Sequence, residues 1–268
     1  MTTLFEPCGV ITITTDFGHR GPFVGTMKGV ILNRFADAKI IDLTHEAYVH
    51  WPAEAGFWLE RSFRYFPRGT VHLAVVDPGV GTERSVLLVI GDGHAFLAPD
   101  NGLLAGVIDA IDATVIKIAD DRLAALSLDR ISATFHGRDI FAPIAGALAA
   151  GAVDPRTLGK PTLDYIPSLI EPPDMHGGEL HGIVITPDNF GNLITNIDAS
   201  ELERFSRPRV RAGGHEIAFR RTYGDVAPGG LLALVNSLGV VEISRAEQSA
   251  AELLGIGRGA PVIIAETP

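Results

Sequence analysis

The sequence predicts an α/β fold: a larger N-terminal α/β domain with a mostly parallel sheet, then a small C-terminal antiparallel β-barrel-like domain. Three observations predict it. Strand-like and helix-like segments alternate through about Ala150, several strands being apolar on both faces, which implies a sheet covered by helices. Pro155, Pro161, Pro167, Pro172 and Pro173 then break any sustained period. From Glu179 onward the segments are short, strand-like and separated by turn residues. The expected domains are residues 1–174, including a proline-rich linker from about residue 152, and residues 175–268.

Val10 to Thr15 is rich in β-branched residues and lies between Gly9 and Gly18, so it reads as a buried strand. Pro22 stands where a helix begins, and Phe23 to Phe35 carries apolar residues at helical spacing. Lys39 to Leu43 returns to strand. Pro52 opens a second helix through Phe66, stopped by Pro67 and Gly69. Thr70 to Val76, Ser85 to Ile90 and His94 to Ala98 are further strands. In the second domain the expected strands are Gly182 to Thr186, Leu193 to Ile197, a segment at Val210, Ile217 to Phe219, Leu231 to Val235, Val240 to Ile243 and Val262 to Ala265.

Composition narrows the function classes. Of 268 residues, 46% are hydrophobic and 20% charged, enough for a packed core. A net charge of −10 opposes binding to nucleic acid. The single cysteine, Cys8, builds neither a disulfide framework nor a thiolate metal cage; it reads as a small buried residue or, less simply, a nucleophile. No cationic segment followed by an apolar core opens the chain, and no apolar run approaches the ~18 residues of a membrane span. The expectation is a soluble cytoplasmic protein with no membrane partner.

Ligands of open α/β sheets sit at the carboxyl ends of strands. Asp16 and Asp77 fall at such ends, where an Asp either caps the next turn or meets a ligand. Asp16-Phe17-Gly18 lacks the rest of a kinase signature. Asp77-Pro78-Gly79-Val80-Gly81-Thr82 is a glycine-rich turn without the ending of a phosphate loop. Arg84 is either a surface charge or a planar fork that orients a carboxylate. His136-Gly137-Arg138-Asp139 precedes an apolar helix: either a helix start with Asp139 in its first turn, or a histidine that exchanges protons beside Asp77 and Arg84. In the second domain, Asp188-Asn189-Phe190-Gly191-Asn192 and Asn236-Ser237-Leu238-Gly239 are turns whose aromatic and amide groups suit a base as well as a sheet.

Taken in order, Thr15-Asp16-Phe17-Gly18, Asp77 to Thr82, Pro99-Asp100-Asn101-Gly102, His136 to Asp139, Phe190-Gly191-Asn192 and Asn236-Ser237 resemble the S-adenosyl-L-methionine (SAM) hydroxide adenosyltransferase family, relatives of the fluorinase and chlorinase enzymes. The resemblance spans nearly the whole chain. It implies hydrolysis of SAM to adenosine and methionine, with no cofactor and no metal. It also implies a homotrimer with sites between subunits. It assigns water handling to Asp77, Arg84 and His136, and the ribose hydroxyls to Asp16. Asn192 and the backbone of Arg245, Ala246 and Glu247 meet adenine, Asp188 meets the methionine ammonium, and Trp51 matches a pocket tryptophan of the halogenating relatives. Gly21, Phe23, Gly137, Phe190, Ser237 and Leu238 complete the implied substrate contacts. The fluorinase has tyrosine and serine where this chain has Asp77 and Gly137, and an extra loop before the Pro99 turn; a carboxylate there repels halide and admits water.

Two other readings remain open on the residues alone. One is a metal-dependent hydrolase using Asp16, Asp77, His136 and Asp139. The other is a non-catalytic sensor of SAM or adenosine, which binds without turnover.

Overall fold

The computed structural model describes residues 5–267. They form two compact units, one ending at Leu169 and the other beginning at Ile170, so the division falls inside the proline-punctuated stretch. No described helix is long and apolar enough to cross a membrane.

The first unit is a seven-stranded sheet with helices on both faces. Its elements are β1 (Val10–Thr15), α1 (Phe23–Arg34), β2 (Lys39–Thr44), α2 (Pro52–Ser62), β3 (Val71–Val75), β4 (Val86–Gly91), β5 (His94–Pro99), α3 (Ala105–Ala110), β6 (Thr114–Ile118), α4 (Asp120–Leu126), α5 (Ala142–Ala149) and β7 (Gly159–Pro161). The order across the sheet is β2-β1-β3-β5-β4-β6-β7. β2, β1, β3 and β5 run parallel; β4 reverses against β5 and β6, and β7 against β6.

Local chemistry explains these elements. β1, β3, β4 and β5 are buried on both faces, as β-branched and apolar runs between helical layers must be. One face of the sheet meets α1 and α5 through Met27, Ile31, Ile144 and Leu148; the other meets α2, α3 and the turns beside them through Leu59, Phe63, Leu103 and Val107. β4 turns back into β5 through Asp92 and Gly93, both at positive φ (49° and 80°), the geometry that matches the twist of a two-residue hairpin. The second helix stops at Ser62 and tightens into a 3₁₀ turn over Phe63–Tyr65, where α-helix to Phe66 was expected. Part of the expected linker is ordered: β7 pairs with β6, with Pro161 on a sheet edge, where its missing N–H costs least. Cys8 is exposed rather than buried, its sulfur 3.8 Å from the Thr70 hydroxyl.

The core of this unit holds a histidine pair. His72 on β3 accepts or donates at Nδ1 to Thr12 Oγ1 (2.8 Å) and at Nε2 to His94 Nδ1 (3.1 Å), and stacks on Phe96. Burial, then the neighbouring His94, holds His72 well below the ordinary histidine value, at about 3. His94 is lowered too, by burial first and then by Arg68. A depressed histidine takes up its proton in the unfolded chain first. Stability is therefore full above about pH 6.5 and falls as pH drops toward 3, by up to about 1.4 kcal/mol per pH unit from His72. Urea melts at pH 7 and pH 5 should show this loss in the wild type and a flatter dependence in His72→Gln. Equal stability at both pH values in the wild type contradicts it.

The second unit pairs its named strands antiparallel, with one parallel bridge between Phe219 and Ala233: β8 (Asp174–His176), β9 (Glu179–Pro187), β10 (Leu193–Asp198), β11 (Pro208–Ala212), β12 (His215–Ala218), β13 (Leu231–Val235), β14 (Val240–Arg245), a short helix α6 (Ala250–Leu254) and β15 (Pro261–Glu266). The order is β12-β11-β15-β9-β10-β14-β13, with β8 against β9. A bridge between Phe219 and Ala233 brings the two ends of that order together, so the barrel is nearly closed around Leu180, Val184, Val210, Ile243 and Ile264.

Candidate active site

The topology of the first unit chooses the location. From β1 the chain crosses through α1 to β2 on one side and returns through α2 to β3 on the other, leaving a switch point between β1 and β3. Ligands of open sheets occupy such a crevice at the strands' carboxyl ends. Asp16 follows β1 there, and Asp77 follows β3.

Asp77 and Arg84 close the glycine-rich turn on itself. Arg84 Nε donates to Asp77 Oδ1 at 2.8 Å and Oδ2 at 2.9 Å, and Nη2 donates to Oδ2 as well. Both side chains are nearly buried, 4% and 10% exposed, so each charge depends on the other. Arg84 Nη2 also lies 3.1 Å from His136 Nδ1, and the guanidinium is braced by the ring of Phe141. These contacts join residues 77, 84 and 136 directly.

The turn needs its glycines. Gly81 has φ +80°, and a Cβ there would stand 2.3 Å from the carbonyl oxygen of Ala133. The loop thus rests against the segment that leads into His136. That segment passes into a π-helical turn over Gly137–Phe141 ahead of α5, where an ordinary α-helical start was expected. Asp139 is fully buried, held by Arg138 and by the Ser132 N–H at 2.8 Å, so it is structural and its carboxyl is kept below the usual range.

Arginine only donates, so His136 Nδ1 receives its hydrogen bond as a lone pair, and the neutral ring carries its proton on Nε2. Burial, then Arg84, holds the His136 pKa below the ordinary histidine value, which keeps that neutral tautomer at pH 7.

Other expected residues gather at the same end of this unit. Asp16 Oδ2 accepts the N–H of His50 at 2.9 Å, and His50 sits in the left-handed region (φ 64°) to deliver it. Phe17, Phe23 and Phe135 meet edge to face at 5.4–6.1 Å, tying the Asp16 turn to the start of α1 and to the His136 segment. Gly137 faces Phe17, Phe135 and Met27, leaving no room for a larger residue without a shift. Gly21 lies under the Phe23 ring, and Trp51 precedes α2. Sequence reasoning missed His50 and Phe135, whose contributions are a backbone N–H and a packing contact that no motif signals.

The second unit holds the remaining candidates. Asp188 Oδ1 accepts the N–H groups of Phe190 (2.8 Å) and Asn192 (2.9 Å), and Oδ2 accepts Asn192 Nδ2 at 2.9 Å, so the carboxylate organises its own turn. Phe190 projects, 76% exposed, while Asn192 is buried. Both backbone groups of Ala246 are engaged: its N–H donates to Gly230 and its C=O accepts from Gly229. Arg245 Nε donates to the Gly229 carbonyl, and Glu247 adopts φ 60°. Ser237 and Leu238 form the β13–β14 hairpin, at the opposite end of β14 from Arg245. Six residues of strand separate these ends by about 20 Å, so a single small group meets one or the other, and only an extended ligand meets both. A buried carboxylate, Glu242, was passed over inside an apolar strand; it accepts from Tyr223 Oη (2.8 Å), Ser244 Oγ (2.6 Å) and Asn236 Nδ2 (3.1 Å). Burial, then Glu242, raises the Tyr223 hydroxyl above its ordinary value. Among the described residues no three His, Cys, Asp or Glu side chains converge as a metal-binding set.

Fold and site define a class: an α/β unit followed by an antiparallel barrel, with a carboxylate–guanidinium–imidazole cluster where open sheets bind ligands. Family models agree with the class in detail. Residues 11–159 match the SAM hydroxide adenosyltransferase N-terminal domain and residues 182–263 its C-terminal domain, so the chain belongs to that family. It is 38% identical over 265 residues to an (R)-S-adenosyl-L-methionine hydrolase of Salinispora tropica, covering 94% of this chain and 96% of that protein. It is 27% identical over 281 residues to a fluorinase of Nocardia brasiliensis, covering 91% and 93%. The crystal structure of an uncharacterized conserved protein from Thermotoga maritima superposes with a TM-score of 0.87 at 34% identity, over 95% of this chain and 99% of that one.

Proposed function

We propose that this protein hydrolyses SAM to adenosine and L-methionine by in-line attack of an ordered water on C5′. Following the name of its relatives, we assign it the (R) form of the sulfonium. The direct contact of Asp77, Arg84 and His136 carries this reading. The sulfonium leaves as a neutral thioether and needs no general acid. The nucleophile is the difficulty, since free water has a pKa of about 15.7. The Asp77 carboxylate supplies negative charge and lone pairs to receive the water's proton, while the Nε2–H of His136 fixes the water's orientation. The same carboxylate repels halide, which favours water over the chemistry of the fluorinase relative.

Asp16, oriented by the His50 N–H, offers acceptors to the ribose diol. Asn192, Arg245 and Glu247 near one end of β14, and Ser237 with Leu238 at the other, suit an adenine and a methionine tail some distance apart; Ala246, its backbone N–H taken by Gly230 and its C=O by Gly229, offers adenine packing. We read the protein as a cytoplasmic homotrimer that needs neither metal nor cofactor; a chain with one exposed cysteine has no disulfide to protect from a reducing compartment. Chromatography after incubation with (R)- and (S)-SAM, with and without EDTA, tests this. Adenosine and methionine should appear in equal amounts, from the (R) form first, at an EDTA-independent rate. Retention of intact SAM for hours identifies a sensor; loss of activity in EDTA and recovery with a divalent ion identifies a metallohydrolase.

A further inference from the structure

Pro99-Asp100-Asn101-Gly102 has no chemistry of its own to perform, yet it meets the catalytic loop at both ends. Asn101 Nδ2 donates to the carbonyl of Val76, the residue before Asp77, at 2.8 Å. The backbone N–H of Asp100 donates to the carbonyl of Ser85, the residue after Arg84, at 3.0 Å. One turn at the end of β5 therefore grips both flanks of the segment that carries the carboxylate and the guanidinium.

The turn is itself held. Asn101 Oδ1 accepts the Leu103 N–H at 3.3 Å, which shapes the turn from within. Asp100 Oδ1 accepts the Ile166 N–H at 2.8 Å, and Lys117 stands 3.6 Å from its other oxygen. Gly102 has φ +86°, and a Cβ there would lie 2.7 Å from the Pro167 carbonyl, so the chain packs closely over the turn.

We propose that Asn101 is a positioning residue for hydrolysis: its amide, with the Asp100 N–H, clamps residues 76 and 85 and thereby fixes Asp77 and Arg84 against His136. The proposal rests on the assignment of those three residues to water activation. A reactive geometry tolerates little error, since a displacement of about 1 Å costs on the order of 10²-fold in rate. Between the two grips, residues 77–84 are held by the approach of Gly81 to Ala133, by short hydrogen bonds within the turn, and by Arg84, which pairs with Asp77 and reaches His136 and Phe141.

Asn101→Ala removes both contacts of the side chain. Asn101→Asp keeps the shape and the acceptor for Leu103 but sets an oxygen against the Val76 carbonyl. The test measures kcat, KM and the pH dependence of kcat for both full-length variants beside Asp77→Asn. Each Asn101 variant should lose at least about tenfold in kcat with KM within about threefold, because binding groups are untouched. The acid limb of kcat should also move toward pH 6.5, as Arg84 withdraws from His136. A folded Asn101 variant with wild-type kcat, or a loss shared equally with KM and an unmoved acid limb, overturns the clamp. If Asn101→Ala does not fold, Asn101→Asp carries the comparison. Turnover surviving in Asp77→Asn defeats the underlying assignment and the clamp with it; an inactive Asp77→Asn beside active Asn101 variants defeats the clamp alone.

Discussion

Asp77→Asn is expected to lower kcat by about 10²- to 10⁴-fold, the range attributed to a positioned proton acceptor. The substitution keeps shape and removes charge. A neutral amide no longer draws the proton of an attacking water, and it presents an N–H where the Arg84 fork requires lone pairs. The nearly buried guanidinium then lacks its counter-charge, which also loosens its contact with His136 Nδ1. Adenosine affinity should change by no more than about threefold, because the ribose and base contacts assigned here lie on other residues. Single-turnover rates with SAM and calorimetric titration with adenosine separate the two quantities. Equal loss of both assigns Asp77 to binding, and an unchanged rate removes it from the reaction.

Gly81→Ala is the second large effect. At φ +80° an L-residue is strained by about 1 kcal/mol or more, and the new Cβ would meet the Ala133 carbonyl at 2.3 Å. The loop or the His136 segment must retreat, and either movement separates the Asp77–Arg84 pair from the imidazole. We expect about a 10²-fold fall in kcat together with a measurable loss of thermal stability. Gly79→Ala is its control: there the added Cβ finds neighbours no nearer than 3.5 Å and should cost little. Comparable kinetics for the two alanine variants would show that the loop's approach to residue 133 is immaterial to the reaction.

The sequence made the strands of the first unit legible because β1, β3, β4 and β5 are apolar on both faces, and only strands between two helical layers have that composition. The barrel strands were legible from turn residues at short intervals. The order of strands was not. Asp92-Gly93 is a local signal that Val86–Gly91 turns back in a hairpin, but nothing local places that strand outside β5 rather than between β3 and β5. The π-helical turn at Gly137–Phe141 has no period that a pattern search finds. Asp16 and Asp77 were visible as acids at strand ends; that Arg84 and His136, 52 residues apart, share a hydrogen bond is a tertiary fact which the residues left as one of two readings and the family resemblance favoured. Asn101 was visible as part of a motif but mute, since its partner is a backbone carbonyl 25 residues away.

In the proposed reaction, water aimed by Asp77 and His136 forms the new bond at C5′ of the sugar. Hydrolysis in ¹⁸O-labelled water followed by mass spectrometry of both products measures this directly. The mechanism predicts one ¹⁸O in the 5′-hydroxyl of adenosine and none in methionine. Unlabelled adenosine, or label carried by a product of the amino-acid chain, contradicts it.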